Sequence, residues 1–117
     1  MSKYPGKVLA VLAALVAFPP SALAECDTGA CKDIKITFLY VDSTAASWLS
    51  TSGNEALLTE CAPGGSPLLK IDPLRTNADW LYTTALTAFT TNQTVSVRID
   101  PSVPGTCTVA YITMGKL

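Results

Sequence analysis

Alternating apolar and polar residues predict a chain made mostly of β-strands. The clearest example is DIKITFLYVD at residues 33–42, where one face of a strand would carry Ile34, Ile36, Phe38 and Tyr40. Because these four side chains are apolar, that face is expected to be buried. Strands are also expected in four later stretches, at residues 43–53, 68–72, 94–100 and 107–114.

A single helix is predicted between the third and fourth of these strands. The stretch DWLYTTALTAFTT repeats apolar residues at positions i, i+4 and i+7 in two series, Leu81, Ala85 and Ala88, then Tyr82, Leu86 and Phe89. Asn77 is suited to cap the first turn, and Asn92 is suited to the left-handed conformation that ends many helices. The helix contains several threonines, which are mediocre helix formers, so packing against the sheet is expected to supply most of its stability.

The first residues predict a secretory signal peptide. Lys3 and Lys7 precede an apolar run at residues 8–18, and the small residues of SALA end at Ala24. We expect cleavage after Ala24, so that residues 25–117 form one mature domain. The apolar run is too short for a transmembrane helix, which needs about 20 residues, so no membrane insertion is expected after cleavage. The protein is expected to be secreted or periplasmic.

Charge in the predicted mature domain argues against a nucleic-acid partner. Removing residues 1–24 from the 117 leaves 93, with nine acidic and six basic side chains and a formal charge of −3. The bases are scattered along the chain, whereas nucleic acids and anionic membranes select a clustered positive face. A chain of this length is enough for one domain with a modest core.

All four cysteines lie in the predicted mature domain, and an even number in a small exported chain indicates two disulfides. The sequence permits three pairings. We favour Cys26 with Cys31 and Cys61 with Cys107, because the turn-forming DTG between the first two can fold one sulfur back on the other. On the chain-entropy model the second bond, which closes a long loop, contributes about 4 kcal/mol.

The composition disfavours catalysis and metal binding. The chain has no histidine, which removes the usual general base and the commonest metal ligand. The cysteine spacing fits neither a four-thiolate zinc site nor the C-x-x-C of thiol oxidoreductases. Acid pairs such as Glu55 with Glu60 or Asp72 with Asp79 are conceivable hydrolytic groups, but a domain this small can hardly form the deep cleft that a substrate needs. We expect no enzyme activity, no metal and no cofactor.

Aromatic residues offer the better functional indication. A ring with a polar edge suits a sugar, whose C–H face stacks on the ring while its hydroxyls bond to nearby polar groups. The predicted mature domain has five such rings, at Tyr40, Trp48, Trp80, Tyr82 and Tyr111. Asp42 and Ser43 directly follow the first predicted strand, and Trp48 lies in the second. These three residues form the predicted ligand site, although many rings in a small domain simply fill its core.

The order of these elements resembles a family of small exported bacterial proteins. In that family a helix with an LYTTALTAF-like run precedes a TVSVRI-like strand, a cysteine-containing turn and a last strand, as this chain has within residues 33–117. These proteins in turn are similar to the B subunits of subtilase-type AB toxins. The resemblance implies an OB-fold, a five-stranded Greek-key barrel with its helix before the fourth strand. For the toxin subunits it implies a ring of five that binds cell-surface glycans and carries a separate catalytic chain.

Residues and resemblance together predict a secreted or periplasmic, non-catalytic module that binds a glycan or the surface of another protein, with a homo-oligomer as a further expectation from the resemblance. Two alternatives belong to other classes. One is a structural or inhibitory protein-interaction domain of the bacterial envelope, which would use loops such as APGGSP at residues 62–67. The other is a small carboxylate-dependent hydrolase.

Overall fold

The computed structural model describes residues 25–61, 68–103 and 105–115, and it shows a mainly β domain with one α-helix. The strands are β1 (Glu25–Cys26), β2 (Ala30–Val41), β3 (Ser47–Thr51), β4 (Leu69–Ile71), β5 (Thr94–Ile99) and β6 (Val109–Met114). The helix α1 spans Ala78–Thr91, and a short 3₁₀-helix spans Glu55–Leu57. The predicted signal peptide at residues 1–24 and the APGGSP loop at 62–67 lie outside the described residues.

The six strands of the described residues form one sheet. Their order is β4-β3-β2-β5-β6, with β1 paired to β2, and all these pairs are antiparallel. A parallel bridge between Lys70 and Thr108 brings β4 beside the residue that precedes β6. At the same place the amide of Lys70 donates to the carbonyl of Cys107 over 2.8 Å. The sheet therefore curls until its two ends meet at this point.

The prediction of five strands is one short. The extra strand is β1, in which Glu25 pairs with Lys32 and Cys26 with Cys31. It forms because the disulfide between these cysteines holds the start of the described chain beside β2. The helix consequently lies before the fifth strand of the chain rather than the fourth. Each of the five stretches that alternation predicted does contain a strand.

The register of β2 shifts by one residue partway along its pairing with β3, between Ile36 and Phe38. Because side chains alternate along a strand, a slip of one residue reverses which face is buried. The prediction that Phe38 and Tyr40 are buried is wrong for this reason. Phe38 is 46% exposed and Tyr40 is 39% exposed, whereas Leu39 between them packs against the core.

The core lies between the inner face of the curled sheet and α1. Its fully buried side chains include Ile34, Leu49, Leu69, Val97 and Val109, one from each of the strands β2 to β6. On the helix the buried residues are Ala78, Leu81, Ala85 and Ala88. Three of these four are alanines, which let the helix axis approach the sheet closely. Of the second predicted apolar series, Tyr82 packs against the core, whereas Leu86 and Phe89 are exposed.

The two ends of α1 are held by different interactions. The prediction that the Asn77 side chain caps the helix is wrong, since it makes no capping hydrogen bond. Its Nδ2 atom instead donates to the carbonyl of Ala110 in β6 over 3.1 Å, which ties the helix start to the sheet. The prediction for the other end is confirmed, because Asn92 has a φ of 56° and its amide donates to the carbonyl of Ala88.

Both favoured disulfides are present, Cys26–Cys31 and Cys61–Cys107. Asp27 builds the tight turn inside the first, because its Oδ1 atom accepts the amides of Gly29 and Ala30, each over 2.9 Å. The Gly29 amide is also the main cause that lowers the pKa of Asp27. Two disulfides in so small a domain are consistent with folding outside the reducing cytoplasm. Within the described residues, neither helix has the length and hydrophobicity that a membrane span requires.

Candidate functional site

Three neighbouring strands place aromatic and polar side chains together on the outer surface of the sheet. The register pairs Tyr40 of β2 with Trp48 of β3, and Trp48 with Lys70 of β4, so these residues form one row across the sheet. In the next row of the same face, Phe38 lies opposite Ser50. The residues on either side of Trp48 and Lys70 are buried, which confirms that this row faces outward. We call the surface formed by Phe38, Tyr40, Trp48, Ser50 and Lys70 the aromatic face.

The side chains of the aromatic face are close enough to act as one surface. The ring centroids of Phe38 and Tyr40 are 5.4 Å apart. The Nζ atom of Lys70 lies 5.7 Å from the centroid of the Trp48 ring, which is within the range of a cation–π interaction. Phe38 and Tyr40 are exposed, and Trp48 is half-buried. The arrangement is a broad apolar surface with an ammonium group at one end.

The loop at residues 42–46 connects β2 to β3 and orients Trp48. The indole N–H of Trp48 donates to Oδ2 of Asp42 over 2.8 Å. Oδ1 of Asp42 accepts three more hydrogen bonds, from the amide and hydroxyl of Thr44 and from the amide of Ala46. The amide of Asp42 closes the loop by donating to the carbonyl of Ala46 over 2.9 Å. One carboxylate therefore holds both the loop and the indole ring.

These hydrogen bonds favour the ionised form of Asp42. The hydroxyl of Thr44 and then the indole of Trp48 lower the pKa of Asp42 to about 2, because a hydrogen bond donated to a carboxylate stabilises its charge. With four donors from its own loop and strand, the carboxylate has little capacity left for a ligand. The geometry assigns Asp42 to the positioning of Trp48.

The structure brings together two of the three residues predicted as the ligand site. Asp42 and Trp48 are hydrogen-bonded to each other, and Ser43 follows in the same loop with its side chain exposed. Of the other rings named from the sequence, Tyr40 lies beside Trp48 on the aromatic face, and the others lie elsewhere. Trp80 projects from α1 and Tyr111 from β6, and both are exposed.

Three residues of the aromatic face, Phe38, Ser50 and Lys70, were not identified from the sequence as candidates for ligand binding. A signal for Phe38 does exist, because Leu39 and Val41 are apolar and occupy the opposite phase of the alternation from Ile36. Two apolar phases within one strand are compatible with a bulge, but the pattern alone does not show where the phase changes. Lys70 has no local signal, since only the pairing of β4 with β3 brings it to Trp48.

Three of the four acidic residues considered for hydrolysis have partners within the fold. Oε2 of Glu55 accepts the amide and the hydroxyl of Thr51 over 2.5 and 2.9 Å. Glu60 lies 3.9 Å from a guanidinium nitrogen of Arg98. Asp72 accepts a backbone amide in the turn that follows β4. Glu55 and Asp72 thus stabilise backbone turns in this structure.

The fourth acid, Asp79, lines a hollow of about 390 Å³ between the loop at residues 42–46 and the start of α1. The lining is mostly apolar and includes Val41, Ile71 and Tyr82, and Asp79 is its one charged side chain. A single carboxylate without a second acid or base is a poor basis for acid–base catalysis. Across residues 25–61, 68–103 and 105–115, no three acidic or cysteine side chains converge as a metal site requires.

Comparison with known proteins gives no family for this chain. No family model matches it, and neither does any curated protein or solved structure. The functional inference therefore comes from the aromatic face, from the loop that orients Trp48 and from the topology of the sheet.

Proposed function

We propose that the chain is a secreted or periplasmic, non-catalytic binding module of the OB-fold class and that its aromatic face binds a glycan. The observation that carries the proposal is the group of rings at Phe38, Tyr40 and Trp48 on the outer surface of the sheet. Grouped apolar rings at a surface are unfavourable in water and often mark a binding site. A sugar fits such a surface, because its C–H face stacks on the rings while its hydroxyls bind polar groups at the edge.

The order of the strands supports the OB-fold part of the proposal. With β1 regarded as an extension beside β2, five strands remain in the order β4-β3-β2-β5-β6, and the bridge between Lys70 and Thr108 joins the two ends. The helix α1 then lies between the third and fourth of these five strands along the chain. A partly open, five-stranded Greek-key barrel is the architecture of an OB-fold.

The position of the aromatic face supports the proposal that it binds a glycan. OB-folds bind oligosaccharides and oligonucleotides on the face of their second and third strands, with the adjoining loops. In this chain those strands are β3 and β4, which carry Trp48 and Lys70, and the loop before β3 carries Asp42 and Ser43. The formal charge of −3 in residues 25–117 favours a sugar over a nucleic acid.

Each residue has its own role in the proposed complex. The exposed rings of Tyr40 and Phe38 on β2 stack on the sugar. The ammonium of Lys70 donates hydrogen bonds to sugar hydroxyls. Trp48 extends the stacking surface, and Asp42 acts indirectly by holding the indole. Ser43 supplies a hydroxyl at the loop edge of the site.

The test is a glycan array probed with the protein purified after export of the full-length chain, and with its Tyr40→Ala and Trp48→Ala variants. Tyr111→Ala is the matched control, because Tyr111 is another exposed tyrosine, on β6 and outside the aromatic face. We expect saturable binding to one class of sugar. Each change on the aromatic face should weaken that binding at least about tenfold, as for the central residue of an interface, and the control should leave it unchanged.

Near-UV circular dichroism must show that each variant is folded, since Trp48→Ala also removes a packed ring. Binding that survives Tyr40→Ala, or that falls equally in Tyr111→Ala, would place the site elsewhere. An array that captures no sugar with folded protein would refute the glycan proposal and favour the alternative of a protein-interaction domain.

A further inference from the structure

In the described part of the chain, β6 is a terminal strand of the sheet and one side of it is largely open. On one side it pairs with β5 from Val109 to Met114. On its other side the described residues provide only the bridge at Thr108 and the contact of Asn77 with the carbonyl of Ala110. An edge strand presents a row of backbone donors and acceptors on which another extended chain can pair.

The direction of the backbone groups in β5 follows from one hydrogen bond. The amide of Ile99 donates to the carbonyl of Gly29, which lies on the β2 side. Backbone groups of successive residues in a strand point to opposite sides. Ser96 and Arg98 therefore direct their amides and carbonyls toward β6.

The pairing register of β5 with β6 gives the direction of the backbone groups in β6. Ser96 is paired with Thr113, and Arg98 is paired with Tyr111, so these β6 residues direct their backbone groups back toward β5. Ile112 and Met114 must then direct theirs away from β5, into the open edge. No hydrogen bond from another described residue reaches the backbone groups of Ile112 or Met114.

β6 has a bulge at Ala110, but the residues that follow it carry no further feature of the kind that prevents strand pairing. The stretch Tyr111–Met114 pairs with β5 in regular register and contains no charge, proline or glycine. Natural edge strands commonly use charged side chains, prolines or bulges to avoid association. The edge of β6 is therefore suited to accept another strand.

A groove on the outer surface runs beside this edge. It has a volume of about 280 Å³ and is lined by Lys32, Ser96, Arg98, Tyr111 and Thr113, together with Ala30 and Val97. Tyr111 and Thr113 belong to β6 itself, so the groove and the open edge are continuous. Among the described residues that line it are two cations and three hydroxyl groups, and none of them is acidic.

The two cations have only weak partners. The Nζ atom of Lys32 lies 3.6 Å from Asp27, with both side chains more than half exposed. The guanidinium of Arg98 lies 3.9 Å from Glu60, which is too far for a hydrogen bond. Exposed ion pairs of this kind contribute about 0–1 kcal/mol. An acidic group that enters the groove can replace either partner at little cost.

We propose that the edge of β6 and this groove together bind an extended, acidic segment of another protein as an added strand. The backbone of the segment pairs with Ile112 and Met114, and an acidic side chain on its outer face reaches Arg98, while Lys32 on β2 adds positive charge at the far side of the groove. Two strand spacings, about 10 Å, separate the added strand from β5. An extended arginine and a glutamate on the segment together cover that distance. The mode of recognition is β-strand addition, in which main-chain hydrogen bonds provide affinity and alternate side chains provide specificity.

We assign the acidic group to another protein, because the residues that lie outside the described ranges include no acidic side chain. Residues 1–24, 62–67, 104 and 116–117 contain no aspartate or glutamate. β6 also has none, so antiparallel pairing of two copies through β6 would bring no additional acidic group to Arg98 and Lys32. A sugar does not provide the regular backbone donors and acceptors that Ile112 and Met114 require.

The test begins with a display library of random linear peptides, selected on the protein purified after export of the full-length chain. We expect the enriched peptides to alternate in strand fashion and to share an acidic residue. The most enriched peptide and its counterpart with that acid replaced by the amide are then synthesised, and their affinities are measured by fluorescence anisotropy. The acidic form should bind about tenfold more tightly, since hydrogen bonds to charged groups contribute about 1.5–3 kcal/mol.

Two variants with matched controls test separately the charge of Arg98 and the backbone groups at the edge of β6. Arg98→Gln should weaken binding of the acidic peptide about tenfold, whereas Lys35→Gln, which removes the same charge from outside the groove, should not. Met114→Pro removes an amide that points away from β5, so it should abolish pairing while the sheet remains folded. Met114→Ala should retain binding. In the complex, the amides of Ile112 and Met114 should become protected from hydrogen exchange.

Four results would overturn the proposal. They are a library that enriches no peptide on folded protein, binding that survives Met114→Pro, edge amides that stay unprotected in the complex, and self-association of the protein in place of peptide binding. The amide measurement needs only the unaltered protein, so it decides the question even if a variant fails to fold. Loss of peptide binding through Tyr40→Ala would instead assign the peptide to the aromatic face.

Discussion

The two disulfides should contribute unequally to stability, and their loop lengths predict by how much. Cys26–Cys31 spans 5 residues along the chain and Cys61–Cys107 spans 46. On the chain-entropy model a crosslink stabilises by restricting the unfolded chain, and these lengths give about 2 and about 4 kcal/mol. A small domain has a total stability of about 5–15 kcal/mol. Loss of the longer bond should therefore remove a large fraction of the free energy of unfolding.

The measurement compares Cys26→Ala/Cys31→Ala with Cys61→Ala/Cys107→Ala by guanidinium unfolding. All four cysteines are almost fully buried, so the loss of packing should be similar in the two variants. The difference between their free energies of unfolding therefore reports the effect of loop length. That difference should be about 2 kcal/mol, or about 8–16 °C in the melting temperature of a domain this small. The slope of the unfolding free energy against guanidinium concentration should also increase more when Cys61–Cys107 is removed. The unfolded chain that is released from the longer loop exposes more surface.

A matched control is the reduction of the unaltered protein, in which no packing atom is removed. The loop-length reasoning would be refuted if removal of Cys26–Cys31 cost as much as removal of Cys61–Cys107, or more. That outcome would mean that the first bond stabilises the native state itself, for example by holding β1 against β2.

Two further predictions concern the hairpin formed by β2 and β3. Leu49→Ala should destabilise the protein by about 2–5 kcal/mol because Leu49 is fully buried. Phe38→Ala should destabilise it by less than about 1 kcal/mol, because Phe38 lies on the outer face. Urea unfolding measures both, and equal losses would contradict the register shift. The pKa of Asp42 is lowered on folding, so its contribution to stability is present above the usual carboxyl pKa and is lost as the pH falls through about 2. In a Trp80→Phe background, the near-UV signal of Trp48 should therefore stay constant down to about pH 3, and a change centred near the usual carboxyl value of about 4 would contradict this assignment.

Much of the fold could be predicted from local sequence. Alternation located a strand in each predicted stretch, and Asn92 marked the helix end because its side chain tolerates a positive φ. The pairing of Cys26 with Cys31 followed from Asp27 and Gly29, which form a tight turn whatever the remainder of the chain does. These signals depend on residues only a few positions apart.

The candidate site was predicted only in part, for a physical reason. Asp42 and Trp48 were identified because a loop of a few residues links them, so proximity in sequence implied proximity in space. Phe38 was assigned to the wrong face, since a single extra residue in β2 reverses the alternation after Ile36. Lys70 had no signal, because its approach to the Trp48 ring depends on how a distant strand pairs.

The sequence by itself determined the element types, the turn at the first disulfide and the absence of histidine chemistry, because each depends on composition or on neighbouring residues. Only the tertiary structure decided which aromatic rings lie outside and which backbone groups of β6 remain open. Those properties depend on strand register and on the position of each strand in the sheet. Both are set by pairing between distant segments, where a shift of one residue exchanges the inner and outer faces.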